Sequence, residues 1–148
     1  NRDEAVAELT GVLVPDRGRN IGFVGMTERV DDAGAKALDE AFATDLMFQF
    51  DLAEGEYHTN VVMACLASVG VVMHKESFAD PDVVQAIDDF YDGQVLYISD
   101  EEKMAFYFAH HFYLGNVFVY VLYYHICIAR NSEYSLSCNF NRIYFSKF

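Results

Sequence analysis

The chain has no tryptophan, only two prolines and three cysteines, and ten basic residues against 23 acidic ones. Each shortage excludes something. A formal charge of −13 and a pI near 4.5 leave no basic stripe for a phosphate backbone, which argues against nucleic acid as a partner. The acidity would suit a cationic small molecule, although a solvated acidic surface accounts for it as simply. The cysteines Cys65, Cys127 and Cys138 are an odd number with no C-x-x-C pair, so neither a disulfide framework nor a zinc site is expected. The opening "NRDEAVAELT" is charged and no apolar stretch of a leader follows it, so a cytoplasmic location with free thiols is expected. Long hydrophobic runs are also scarce. The longest apolar and aromatic stretch, "FYLGNVFVYVLYYHICIAR", contains Asn116 and His125 and falls short of the roughly 20 apolar residues that cross a bilayer. Its β-branched and aromatic content favours strand, and no membrane partner is expected.

What is present is a repeat. At 148 residues the chain has the length of one domain, and it answers itself at an offset of about 49. "TGVLV" at 10–14 matches "TNVVM" at 59–63, "ALDEAF" at 37–42 matches "AIDDFY" at 86–91, and "LMFQF" at 46–50 matches "VLYIS" at 95–99. "IGFVGMTE" faces "VGVVMHKE" with a slip of one residue. Short Val- and Phe-rich runs read as buried strands, and "DRGRN" reads as the turn between the first two. In the second unit Asp80 is placed to cap a helix with Pro81 at its first position, and Val83, Ile87 and Phe90 fall on one face. "SDEE" from Ser99 predicts a capping box closed by Glu102. The expected fold is α/β, built from repeated ββαβ units: 5–52, then 53–103, then an aromatic-rich segment 104–148 of unassigned structure within a single domain 1–148.

Three side chains stand out chemically. His58, in "EYHTNVVM", precedes the predicted buried strand, with Thr59 and Asn60 available to orient its ring. An imidazole at a strand mouth can shuttle protons, whereas the plainer reading is a strand-edge histidine bonded to water or backbone. Glu8, in "ELTG", stands at the matching mouth of the first unit, yet the offset pairs Leu9 with His58. On regular strands the two side chains would therefore aim to opposite faces unless a bulge intervened. Cys138 is a nucleophile only as a thiolate, while Cys65 and Cys127 read as small buried hydrophobes. Glu54, Glu56 and His58 alternate, but a metal site there would require the strand to begin early. His110 and His111 point about 100° apart on a helix, and Gly18, Gly22 and Gly25 open no phosphate loop. No metal and no cofactor are expected.

Taken together, "LTGVLVPDRGRNIGFVGMTERVDDAGAKAL", "YHTNVVMACLASVGVVMHKESFADPDVVQAIDDF", "VLYIS" and "AFYFAH" resemble the arginine deiminase-related hydrolases and amidinotransferases, of which dimethylarginine dimethylaminohydrolase is a member. The resemblance spans roughly residues 5 to 112. It implies an α/β propeller of five ββαβ blades, of which about three would fit this length, hence a partial propeller. It also implies a covalent cysteine mechanism on an arginine-like guanidino substrate, without metal or cofactor. Carried over, His58 would be the general acid–base, Glu8 the guanidinium-binding carboxylate, Asn60 a second substrate-binding residue, and Cys138 the nucleophile. This chain departs from the family in several places: Leu9 stands for a glycine, "FAHH" for "FAGN", and "SEYSLSC" lacks the glycines of the nucleophile loop. A binding or structural domain that keeps the blades without the chemistry is the alternative, and its open sheet edges would favour self-association.

Overall fold

The structure is a computed structural model, described here for residues 5–66 and 69–104. The aromatic-rich segment beyond them, with Cys127, Cys138, His110 and His111, lies outside the described residues. The strands are β1 (Leu13–Asp16), β2 (Ile21–Met26), β3 (Leu46–Asp51), β4 (Met63–Cys65), β5 (Val71–Met73) and β6 (Val95–Tyr97), and the helices α1 (Asp32–Phe42) and α2 (Pro81–Phe90). They form two three-stranded sheets of identical plan. In each, the first two strands pair antiparallel, and a helix then carries the chain to a third strand parallel to the second. Among the described residues the fold is thus mixed α/β with two ββαβ units.

Register refines the repeat. Val14 faces Phe23, which faces Phe48; Met63 faces Met73, which faces Tyr97. The middle strands therefore correspond at an offset of 50, against 49 for the outer ones, so the slip runs opposite to the one read from the sequence. The cause is a loop of five residues before β5 where four precede β2.

α2 and the helix at 100–104 start where the sequence places caps, and α1 is capped in the same way. Asp31 accepts from the Gly34 amide, Asp80 accepts from the Asp82 amide, and Pro81 occupies the first turn of α2. Ser99 and Glu102 exchange side-chain to backbone hydrogen bonds of 2.9 and 3.3 Å, completing the capping box of a helix at 100–104. The inward stripe of α2 differs from expectation: Val84, Ile87 and Tyr91 are buried, while Phe90 is 38% exposed. Phe90 instead lies edge-on to Phe48, 5.3 Å away. At the end of α1, Ala43 sits in the left-handed region with φ of 48°. That conformation costs a Cβ-bearing residue roughly 1 kcal/mol, so Ala43→Gly is expected to stabilise the fold by up to about 1 kcal/mol in urea unfolding.

One core joins the units. Phe23 of β2 stacks on Phe48 at 5.1 Å and on Tyr91 at 6.2 Å, and the same cluster takes in Val62, Met63, Met73 and Ile87. Burying a side chain of this size contributes about 2–3 kcal/mol, so separating the units would forfeit several such terms. β1 packs beside β4 without pairing to it. Polar residues then accumulate at both ends of these two strands. No helix among the described residues is long and apolar enough to cross a membrane.

Candidate functional site

At the leading ends of β1 and β4 neither flanking segment is a strand. Residues 9–11 form a turn in which the Val12 amide donates to the Glu8 carbonyl at 3.3 Å. His58 precedes a 3-10 turn over Thr59–Val61, so the strand expected at 59–63 begins only at Met63. The reason is tertiary. The Thr59 hydroxyl, fully buried, donates to the Val12 carbonyl at 2.6 Å and accepts from the Gly25 amide at 2.8 Å. It stitches unit two onto unit one instead of orienting the imidazole. Because the segments are turns, the face parity that set Glu8 against His58 does not apply.

The two side chains meet. His58 Nε2 lies 3.2 Å from Glu8 Oε1, with the imidazole 11% exposed and the carboxylate 38%. Thr10 Oγ1 donates to the same oxygen at 2.9 Å, and Arg29 Nη1 donates to Oε2 at 3.1 Å. The Thr10 bond is the largest effect on the Glu8 carboxyl; desolvation, next in size, opposes it, and His58 and Arg29 add enough to hold the group below the usual carboxylate range. Glu8 is therefore an anion at neutral pH. Asn60 joins the cluster through its backbone amide, donating to the Gly11 carbonyl at 3.0 Å, and through Nδ2, donating to the Thr10 carbonyl at 3.2 Å. The Tyr57 ring lies 4.6 Å from the imidazole.

Two members were not singled out from the sequence. Arg29 is 21 residues from Glu8 and no local pattern links them. Gly11 backs the imidazole so closely that a Cβ there would lie 2.6 Å from His58 Nδ1 and 2.5 Å from Asn60 Oδ1. The glycine of "TGV" was the available signal.

The remaining assignments fall elsewhere. Cys138, the expected nucleophile, lies outside the described residues. Glu56 turns away from His58 toward Ser77 and Lys103, and no group of three metal-ligating side chains occurs among the described residues. Cys65 lies at the far end of β4 with Sγ 3.7 Å from the Tyr91 hydroxyl, and burial pushes its thiol up to about 12. Against an ordinary thiol near 8.5, its thiolate at pH 7 is scarcer by more than about a thousandfold. Iodoacetamide at pH 7 is accordingly expected to leave Cys65 unmodified in the folded chain and to modify it in urea, as peptide mapping would read.

The cluster combines a buried imidazole with a fixed anion, groups able to move a proton and to hold a planar cation, and Arg29 already occupies one oxygen of that anion. No protein-family model matches the chain, and no curated protein matches it. Among solved structures it is similar to the N-terminal domain of ArgZ, an arginine dihydrolase from the ornithine-ammonia cycle in cyanobacteria, seen bound to product, with a TM-score of 0.57 and 14% identity. The match covers 66% of this chain and 36% of that one. The same figures hold for forms of that domain bound to substrate and covalently bound to a reaction intermediate. At this identity the likeness is one of fold, and this chain spans about a third of that domain's length.

Proposed function

We propose that the chain is part of a guanidine-modifying hydrolase or amidinotransferase that acts on an arginine-like substrate through a covalent cysteine intermediate. The observation that carries this reading is the 3.2 Å approach of His58 to Glu8 at adjoining strand mouths of two ββαβ units. Likeness of fold to an arginine dihydrolase domain supports it. A partial α/β propeller, with the units as successive blades around the site, is the architecture that fits both.

In this reading Glu8 anchors the guanidinium of the substrate, a cation for which the carboxylate is already suited, since it accepts an N–H of Arg29. Glu8 Oε1 also faces the imidazole Nε2 at 3.2 Å, an ionic contact without hydrogen-bond geometry. The thiolate of Cys138 attacks the guanidinium carbon, His58 protonates the departing amine, and the neutral imidazole then takes a proton from the water or amine that resolves the adduct. Asn60 holds the turn of residues 9–11 against His58. The chemistry requires neither metal nor cofactor.

The test is release of citrulline and ammonia from L-arginine and its analogues by the full chain, with intact mass followed for an amidino adduct. Cys138→Ser and His58→Ala are each expected to abolish release, and activity surviving Cys138→Ser would remove the nucleophile from the scheme. A second reading, a catalytically inactive propeller relative acting as a binding or structural domain, is favoured by "SEYSLSC", which lacks the glycines of the nucleophile loop. Arginine binding with no adduct and no release would select it.

A further inference from the structure

A second polar cluster, unconnected with the Glu8–His58 pair, lies around Ser77. The Ser77 hydroxyl is fully buried, 2.7 Å from His74 Nδ1 and 2.7 Å from Glu56 Oε1, and accepts from Lys103 Nζ at 2.9 Å. Lys103 also pairs with Glu56. On the other side of the ring, His74 Nε2 faces Asp100 Oδ1 at 3.1 Å and Glu76 Oε2 at 3.4 Å. The imidazole is 3% exposed, whereas the carboxylates of Asp100 and Glu76 are 86% and 72% exposed. Lys75, the remaining charge nearby, sits over the Tyr97 ring at 3.7 Å.

Serine, histidine and aspartate in this order invite comparison with a hydrolase triad. The comparison fails because the serine is sealed from solvent and held by Lys103 and Glu56. Proton accounting gives the cluster a different role. Ser77 has a single hydroxyl hydrogen. Glu56 has no hydrogen to offer, so that hydrogen goes to Glu56, and Ser77 must accept at His74 Nδ1, which therefore carries a proton. Nε2 then bears either a second proton, which Asp100 and Glu76 accept, or a lone pair, which two carboxylates repel. The alternative neutral tautomer would bring two buried oxygens, Ser77 Oγ and Glu56 Oε1, together without a hydrogen between them. Releasing two solvated carboxylates into water costs far less than that.

We propose that His74 is a proton-operated clasp: its imidazolium holds Asp100 and thereby docks the helix at 100–104 onto the 74–77 turn, which also contributes Glu76, and its neutral form, fixed as the Nδ1–H tautomer by Ser77, releases Asp100. The sign follows directly. Docking is stronger when the His74 ring carries both protons and weaker when Nε2 carries none, while the Lys103–Glu56 pair is independent of that proton. The clasp stands independently of any reaction at His58.

Long-range ¹H–¹⁵N correlation spectra of the full chain, recorded through a pH titration, test it. The neutral His74 ring is expected to show the Nδ1–H pattern. Protonation is expected to move the Asp100 and Glu76 carboxyl shifts in step and to raise the exchange protection of the 102–104 amides about 1.5-fold to fivefold, the scale of exposed ion pairs. Asp100→Asn combined with Glu76→Gln, both at exposed positions, is expected to remove that pH dependence and to leave the tautomer unchanged. A neutral Nε2–H tautomer, or protection that ignores the His74 titration, would overturn the proposal.

Discussion

Gly11→Ala is expected to cost the proposed reaction about a hundredfold or more in kcat/KM while the melting temperature moves by only a few degrees. The new Cβ would stand 2.6 Å from His58 Nδ1, 2.8 Å from its Cγ and 2.5 Å from Asn60 Oδ1. Those atoms belong to a ring and an amide held on a turn, with no free chain end that could swing aside. Ordinary contact needs 3.4–4 Å, so the imidazole must shift by roughly 1 Å, a displacement that typically costs about 10²-fold at a reacting centre. That falls within the 10²- to 10⁴-fold range typical of general acid–base assistance. Gly11 is buried, so the same overpacking should cost the fold about 1 kcal/mol or somewhat more, but the turn lies outside both sheets and no strand register depends on it. Kinetics on arginine, with the ring shifts of His58 as a second readout, would check it. An alanine variant with unaltered His58 shifts and unaltered rate would contradict the packing described.

Asp16→Ala is expected to destabilise the chain by about 3 kcal/mol, the scale of removing one partner from a buried charged network. Asp16 ends β1, has no exposed surface, and accepts from the Tyr91 hydroxyl at 2.9 Å, Arg19 Nη1 at 3.1 Å and the Gly18 amide at 3.0 Å. It thus ties the end of β1 in unit one to the cap of α2 in unit two, at the opposite end of these strands from Glu8 and His58. Desolvation works to raise its carboxyl, but the bonds from Tyr91, Arg19 and the Gly18 and Arg19 amides outweigh it and hold the group below the usual range. A depressed carboxyl contributes stability that is present above its unfolded value, near 3.9, and is lost as pH falls through the folded one. Wild type should therefore lose stability steeply below about pH 4, and Asp16→Ala should flatten that part of the curve. At roughly 2–4 °C per kcal/mol for a chain of this size, the variant should melt about 6–12 °C lower at pH 7. A loss under about 1 kcal/mol would show that the Asp16 network adds little to the join between the two units.

The parts of this molecule that could be read in advance are those governed by near neighbours. Asp80, Pro81 and the Ser99–Glu102 pair announce helix starts within four residues, and both ββαβ units were visible in the self-match of the chain. Less legible were features set across the fold. The Thr59 hydroxyl serves the backbone of Val12 and Gly25, 47 and 34 residues away, and that service turns an expected strand into a 3-10 turn. Face parity misjudged Glu8 for the same reason, since alternation holds only where a strand exists. Phe90 was assigned inward by spacing alone, but the stripe of α2 rotates by one residue to bring Tyr91 onto Asp16 and Phe23. Arg29 carried no signal in its own neighbourhood.

The most direct test of the central claim is a titration of the full chain, with ¹⁵N-labelled histidine rings, by L-arginine and, as a control, L-lysine. A guanidinium seated on Glu8 must alter the electrostatics 3.2 Å away. The ring signals of His58 should move with arginine and stay still with lysine, the signals of His74 should not respond, and Glu8→Gln should abolish the effect. Equal responses to both ligands, or arginine binding that leaves His58 undisturbed, would contradict the account.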